Sequence, residues 1–242
     1  MYVLWWSAEF WHFRWKVGVT MDTAVKETDA LTKEETKDTS ALTKVTIGCG
    51  KGYLVLKRLL DIVVSFLAIV VLLFPMIIVG IMIRLDSEGP ALFKQKRMGR
   101  GGKVFVIYKF RTMKQSAPQN VASRDLENPE QHLTKLGSFL RRTSIDELPQ
   151  LFNILKGDMS FIGYRPVCLT ETKLNTLRKE IGVFTLRPGI TGLAQVSGRD
   201  NVTSYRKKAQ LDAQYVSSCS LQTDIRCMVR TVRIVISGEG AN

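Results

Sequence analysis

Between Ile62 and Ile83 every position is apolar except Ser65. About 20 such residues suffice to cross the hydrocarbon core of a bilayer, and so long an uncharged run is poorly suited to a buried core helix. Pro75 lies inside it, where an intact helix would lose roughly 3 kcal/mol. Both flanks are basic, with Lys51, Lys57 and Arg58 before the run and Arg84 after it. Basic flanks prefer the cytoplasmic side of a membrane. A spanning helix would place one flank on the wrong face. A helix that enters, breaks at Pro75 and returns keeps both on the same face, so the pattern favours a re-entrant helix.

Beyond Gly89-Pro90 the period changes. Ala91 to Lys96 and Val104 to Lys109 read as two short strands joined through Gly99, Gly101 and Gly102. Leu148, Leu151, Phe152 and Leu155 then fall at i, i+3, i+4 and i+7, one stripe of an amphipathic helix. Ser144 followed by Glu147 reads as a capping box that starts this helix, and Pro149 is tolerated only near such a start. Near the C-terminus Ile225, Met228, Val229, Val232 and Ile236 share a face, with Arg226, Arg230 and Arg233 off it. That helix suits either an anionic membrane surface or the domain core, and Gly238 is placed to end it. The expected fold class is α+β, mainly helical: a proline-broken re-entrant helix, a small β-hairpin and amphipathic helices on the membrane surface.

Four segments follow. Residues 1–20 hold all four tryptophans (Trp5, Trp6, Trp11 and Trp15), as an interfacial anchor or as residues before a true start at Met21. Residues 21–52 read as a disordered linker, 53–88 as the membrane helix and 89–242 as the catalytic domain.

Composition narrows the function. The 242 residues carry a formal net charge of +13, and no acid occurs from Gly89 to Arg124. Such an excess calls for an acidic partner: anionic lipid, nucleotide phosphates or nucleic acid. Cys49, Cys168, Cys219 and Cys227 form no C-x-x-C pair, and free thiols in a reducing setting are the simplest expectation. Neither glycine cluster, at 48–52 or 99–104, satisfies the P-loop.

The candidate chemistry lies in Asp146-Glu147, preceded by Arg141-Arg142. Guanidinium groups can hold a phosphate, and a carboxylate there can attack the phosphorus. Arg141 and Arg142 would keep Asp146 ionised. Acids in a first helical turn also serve simply as caps. Two loops, Gly163-Tyr164-Arg165-Pro166 and Arg187 to Gln195, hold arginine beside a rigid proline. Each fits phosphate binding, and each fits an ordinary turn with a solvated arginine.

Lys57-Arg58-Leu59-Leu60-Asp61, the proline-broken run, Tyr108-Lys109-Phe110-Arg111-Thr112-Met113, the Asp146-Glu147 run and Arg187-Pro188-Gly189 together resemble the bacterial sugar transferase family, the small monotopic phosphoglycosyl transferases. The likeness covers about Tyr53 to Gly240. It implies transfer of a sugar 1-phosphate from a UDP-sugar to undecaprenyl phosphate at the cytoplasmic face of the inner membrane. UMP is released, and an exopolysaccharide, capsule, O-antigen or glycoprotein glycan is begun. It implies Asp146 as nucleophile, Glu147 as ligand of Mg²⁺ and Arg165 as a phosphate contact. Arg111, Arg141, Arg142, Arg187 and Gln195 are the other expected substrate-binding residues. Two positions depart from the family: Phe74 where many relatives have Ser, and Tyr164 where proline is common. The alternative is a non-catalytic, membrane-tethered basic module for anionic lipid or nucleic acid. It leaves Asp146-Glu147 among arginines unexplained, and no nucleic-acid partner is expected.

Overall fold

The computed structural model describes residues 43–118, 126, 128–197 and 204–237. The aromatic residues 1–20, most of the polar linker and Gly238 lie outside them. Lys51–Asp86 forms one helix, α1, of 36 residues. Its buried positions are Asp61, Ser65, Ile69, Met76 and Ile83, spaced by four or seven so that they fall on one helical stripe. That stripe lies on the rest of the chain. Ile69 packs with Ile107, Leu151, Ile154 and Met159, while Met76 and Ile83 pack with Phe110 and Leu140. The remaining surface is apolar and bare: Val63, Phe66, Leu67, Val70, Val71, Phe74, Ile77 and Ile81 are all exposed. Soluble proteins rarely expose contiguous apolar surface on this scale. The helix continues through Pro75, so the expected break does not appear as an interruption.

The expected hairpin is present. Strands β1 (Leu92–Met98) and β2 (Val104–Phe110) pair antiparallel, with Leu92 opposite Phe110 and Met98 opposite Val104. Gly101 and Gly102 turn the chain with φ of 66° and 73°, values that glycine adopts without strain. Next come α2 (Lys135–Arg142), a 3₁₀ turn (Ile145–Glu147) and α3 (Gln150–Lys156). Asn153 joins α3 to β2: its Oδ1 accepts from the Tyr108 N–H at 3.0 Å and its Nδ2 donates to Val106 O at 2.7 Å. A second, parallel pair joins β3 (Ser160–Ile162) to β4 (Gly189–Thr191). Four helices complete the order: α4 (Thr172–Glu180), α5 (Leu193–Val196), α6 (Tyr205–Ser217) and α7 (Leu221–Ser237).

Both ends of α1 are fastened to this body. At its foot Lys57 and Tyr53 reach Asp224 of α7, Arg58 donates to Ile154 O and Leu155 O at 2.6 and 2.9 Å, and Asp61 accepts from Ser160 Oγ and the Phe161 N–H. At its head Arg111 donates to Ser87 O at 2.6 Å, Ser87 Oγ at 2.9 Å and Glu88 O. The residues just before α1 are also attached, for the Val45 N–H bonds Ile181 O and the Gly48 N–H bonds Val216 O. This end of the expected linker is therefore part of the folded unit.

The same attachment brings Cys49 to Cys219, and the two form a disulfide across 170 residues. The expectation of free thiols is corrected for this pair, whose partners are too far apart in sequence to signal each other. Cys168 and Cys227 are free and buried.

Candidate active site

The acidic pair does not open an α-helix. Ser144 takes a left-handed conformation (φ 57°), and its side chain caps nothing. The capping box is therefore absent, and Asp146 and Glu147 occupy the 3₁₀ turn. Pro149, which has no N–H to donate, is the N-cap of α3. The later start also rotates the buried face, so that Leu151 and Ile154 are buried while Phe152 is exposed.

The turn presents both acids to β2 and to the loop after β3. Phe105, Ile107 and Lys109 share one face of β2 by the two-residue period. The first two pack in the cluster with α3, and Lys109 continues that face to the acids. Its Nζ donates to Glu147 Oε1 at 2.7 Å and lies 3.5 Å from Asp146 Oδ2. Arg165 Nη2 donates to the same Oε1 at 2.6 Å, and Nη1 lies 3.5 Å from Oε2.

The Arg165 loop is held by backbone. The Gly163 N–H bonds Thr191 O, and the Gly189 N–H bonds Tyr164 O, each at 2.9 Å. A Cβ on Gly163 would stand 2.4 Å from Arg187 O, so only glycine permits this approach. Arg178 Nη1 donates to Arg165 O at 2.9 Å. Arg178 is itself bound by Asp212 at 2.9 and 2.6 Å and lies over the Tyr164 ring, 5.2 Å from its centroid.

Electrostatics divide the two acids. Burial pushes the Asp146 carboxyl above the ordinary aspartate range; Lys109, Arg165 and Arg141 pull it back, while Glu147 adds to the rise. Burial acts in the same sense on Glu147, but Arg165 and Lys109 outweigh it and hold that carboxyl well below its usual value. The cluster thus pairs a firmly ionised glutamate with an aspartate whose charge is less favoured. Among the described residues Lys109, Arg165 and Arg141 all act on Asp146, and the first two also bind Glu147. Among the described residues no protein atom bonds Asp146 Oδ1.

Residues 52–238 match the family described as bacterial sugar transferase. The chain belongs to that family. This sugar transferase is 40% identical over 201 residues to the galactosyl transferase CpsE of Streptococcus agalactiae, covering 78% of the chain and 44% of CpsE. It is 41% identical over 191 residues to the uncharacterized sugar transferase EpsL of Bacillus subtilis, covering 77% of the chain and 90% of EpsL. It is 37% identical over 193 residues to the UDP-glucose:undecaprenyl-phosphate glucose-1-phosphate transferase of Caulobacter vibrioides, covering 76% of the chain and 71% of that relative. The chain thus spans less than half the length of the streptococcal relative.

Among the residues expected in this sugar transferase's site, Asp146, Glu147, Arg165 and Arg141 come together. Arg141 Nε also donates to Thr112 Oγ1 at 2.9 Å. Gln195 stands beside them: its Nε2 donates to Ile190 O, the carbonyl that Arg165 Nη1 also reaches. Three others are elsewhere. Arg111 is spent on the carbonyls ending α1, Arg142 is exposed and absent from the forces on Asp146, and Arg187 bonds Gly157 O past the far end of α3. Arg141 still opposes the rise of Asp146, but burial prevails over it. Tyr164 is buried against Arg178 and Phe184. Lys109, Arg178 and Asp212 are not among the site residues expected from the sequence. For Lys109 the strand period was the available signal; for the other two nothing local marks the pair.

Removing Lys109 tests the balance at Asp146. A reaction needing ionised Asp146 falls off below that group's pKa, and Lys109 is the largest force lowering it. In Lys109→Met the acid limb of the pH–rate profile should move to higher pH, with activity near neutrality down by about a hundredfold, the scale of lost charge stabilisation. An unmoved limb would contradict the arrangement.

Proposed function

We propose that this sugar transferase moves a sugar 1-phosphate from a UDP-sugar to undecaprenyl phosphate through a phospho-aspartyl intermediate on Asp146. The observation that carries the proposal is a buried aspartate, one of whose oxygens bonds no atom of the described residues, set beside Lys109, Arg165 and Arg141. The Caulobacter relative's printed name supplies the substrate classes. In the first step an Asp146 oxygen bonds to the sugar-bearing phosphorus, and the bond to UMP breaks with its electron pair leaving on UMP. In the second an oxygen of the lipid phosphate attacks that phosphorus and frees Asp146. The product is a diphospho-linked sugar lipid that begins a surface glycan. Lys109, Arg165 and Arg141 hold the diphosphate and balance its charge.

Glu147 fits a Mg²⁺ role. It is ionised, and its Oε2 has only a 3.5 Å contact. A magnesium site needs only one or two protein carboxylates when substrate phosphates complete it. When bound, the ion neutralises charge on the diphosphate.

The acceptor stays in the bilayer, so the enzyme must lie in it. The apolar surface of α1 and the exposed Ile225, Met228, Val229, Val232 and Ile236 of α7 support insertion of both. Fastening of both ends of α1 to one body supports the re-entrant form. The basic flanks support a cytoplasmic active site. Cysteines replacing the exposed Lys51 and Glu88 should both react with an impermeant maleimide from the cytoplasmic side alone. Labelling from opposite sides would establish a spanning helix instead.

The activity is tested by giving the reconstituted protein polyprenyl phosphate, Mg²⁺ and a panel of UDP-sugars. One sugar at least should yield acceptor-dependent UMP. No UMP from any of them would overturn the proposal.

A further inference from the structure

We propose that Arg58, Arg100 and Arg187, gathered around the C-terminal end of α3, bind the phosphodiester headgroup of an anionic membrane phospholipid. The inference rests on the membrane placement of α1 proposed above. Gly157, the C-cap of α3, is the meeting point. Arg187 Nε donates to its carbonyl at 2.9 Å, and Arg58 Nη2 lies 3.1 Å from where a Cβ on it would stand. Arg100, in the hairpin turn, donates through Nε to Thr185 O at 3.2 Å, two residues before Arg187.

The donors are unequally used. Arg58 spends both terminal nitrogens on the last carbonyls of α3. Arg187 and Arg100 bond only through Nε, so among the described residues their terminal nitrogens donate to no protein atom. Guanidinium groups present such nitrogens in a planar fork that fits two phosphate oxygens.

The charges are also unbalanced. Burial holds the Arg187 pKa below the usual arginine value, and the positive charges of Arg100 and Arg58 lower it further; among the described residues Asp61 opposes them. Asp61 already accepts from Ser160 and Phe161. Like charges brought together without an anion cost stability, so the arrangement calls for one.

Position decides its source. Arg58 lies between Leu56 and Leu59, within the exposed apolar residues Val55, Leu56, Leu59 and Leu60 of the first turns of α1, so the cluster stands where headgroups meet acyl chains. The acids precede α3 and the cluster follows it. A seven-residue helix is about 10 Å long, so a phosphate held here is out of reach of Asp146. That favours a resident phospholipid over the reacting acceptor.

The full-length protein, reconstituted in phosphatidylcholine nanodiscs containing a minor share of phosphatidylglycerol, is released into the gas phase for native mass spectrometry. Wild type should retain one phosphatidylglycerol. Arg100→Ala and Arg187→Ala should each weaken retention about tenfold, the scale of one charge-assisted contact, while Lys207→Ala, a charge loss on α6, retains the lipid. Arg100 is exposed, so its variant should fold as wild type. Unchanged retention in both arginine variants, or equal retention of phosphatidylcholine, overturns the proposal. So does displacement of the phospholipid by equimolar polyprenyl phosphate, which would assign the cluster to the acceptor. Because bound lipid is read directly, failure here is separable from failure to release UMP.

Discussion

Asp146→Asn is expected to abolish turnover without harming the fold. Removing a covalent nucleophile costs on the order of 10⁴-fold or more in rate, and a denaturing quench with radiolabelled donor should leave the peptide around position 146 unmarked. The stability outcome has the opposite sign. Burial raises the folded-state pKa of Asp146 above the ordinary aspartate value. The folded state therefore holds its proton more tightly than the unfolded chain. This group's contribution is most favourable at acid pH and weakens as pH rises through the ordinary value toward the raised one. At neutral pH the ionised aspartate is a burden that a neutral amide of the same shape removes. Asp146→Asn should then melt at or above the wild-type temperature while turning over no donor, the trade expected of a strained functional group. Wild-type UMP release from this variant would sink the nucleophile assignment.

What could be read from the chain beforehand follows the range of the forces involved. The long apolar helix was legible from composition alone, and the hairpin was placed within two residues because alternation and glycines are local signals. The α3 stripe departs from expectation at Phe152 because Pro149 delays the helix and a left-handed Ser144 stands where a cap was expected. Arg111, expected at the substrate, instead gives its donors to the groups that follow α1, Ser87 and Glu88, a contact set by the tertiary fold. Arg187 sits in a loop that pairs with the Arg165 loop through backbone, yet its side chain points its Nε to Gly157 O rather than to the acids. The Cys49–Cys219 bridge and the Arg178–Asp212 pair depend on partners 170 and 34 residues apart, and no local pattern records such distances.

That last pair carries the second large effect. Arg178 and Asp212 are both almost wholly buried. Burial pushes the Asp212 carboxyl up even though Arg178 pulls it down, so the pair stands on its mutual hydrogen bonds. Asp212→Ala would leave the Arg178 guanidinium buried without a counter-ion, a loss of about 3–5 kcal/mol. For a body of this size that corresponds to a melting temperature lower by about 10 °C. Rate should suffer beyond stability, because Arg178 also holds Arg165 O and thereby the arginine that binds Glu147. Measured well below the variant's melting temperature, UMP release should remain depressed, chiefly through kcat. A double replacement, Arg178→Met with Asp212→Leu, separates the two roles. Apolar side chains of similar volume should recover much of the stability but leave the Arg165 carbonyl without its donor and the rate still low. Recovery of both together would mean that the buried pair supports the fold alone and does not position Arg165.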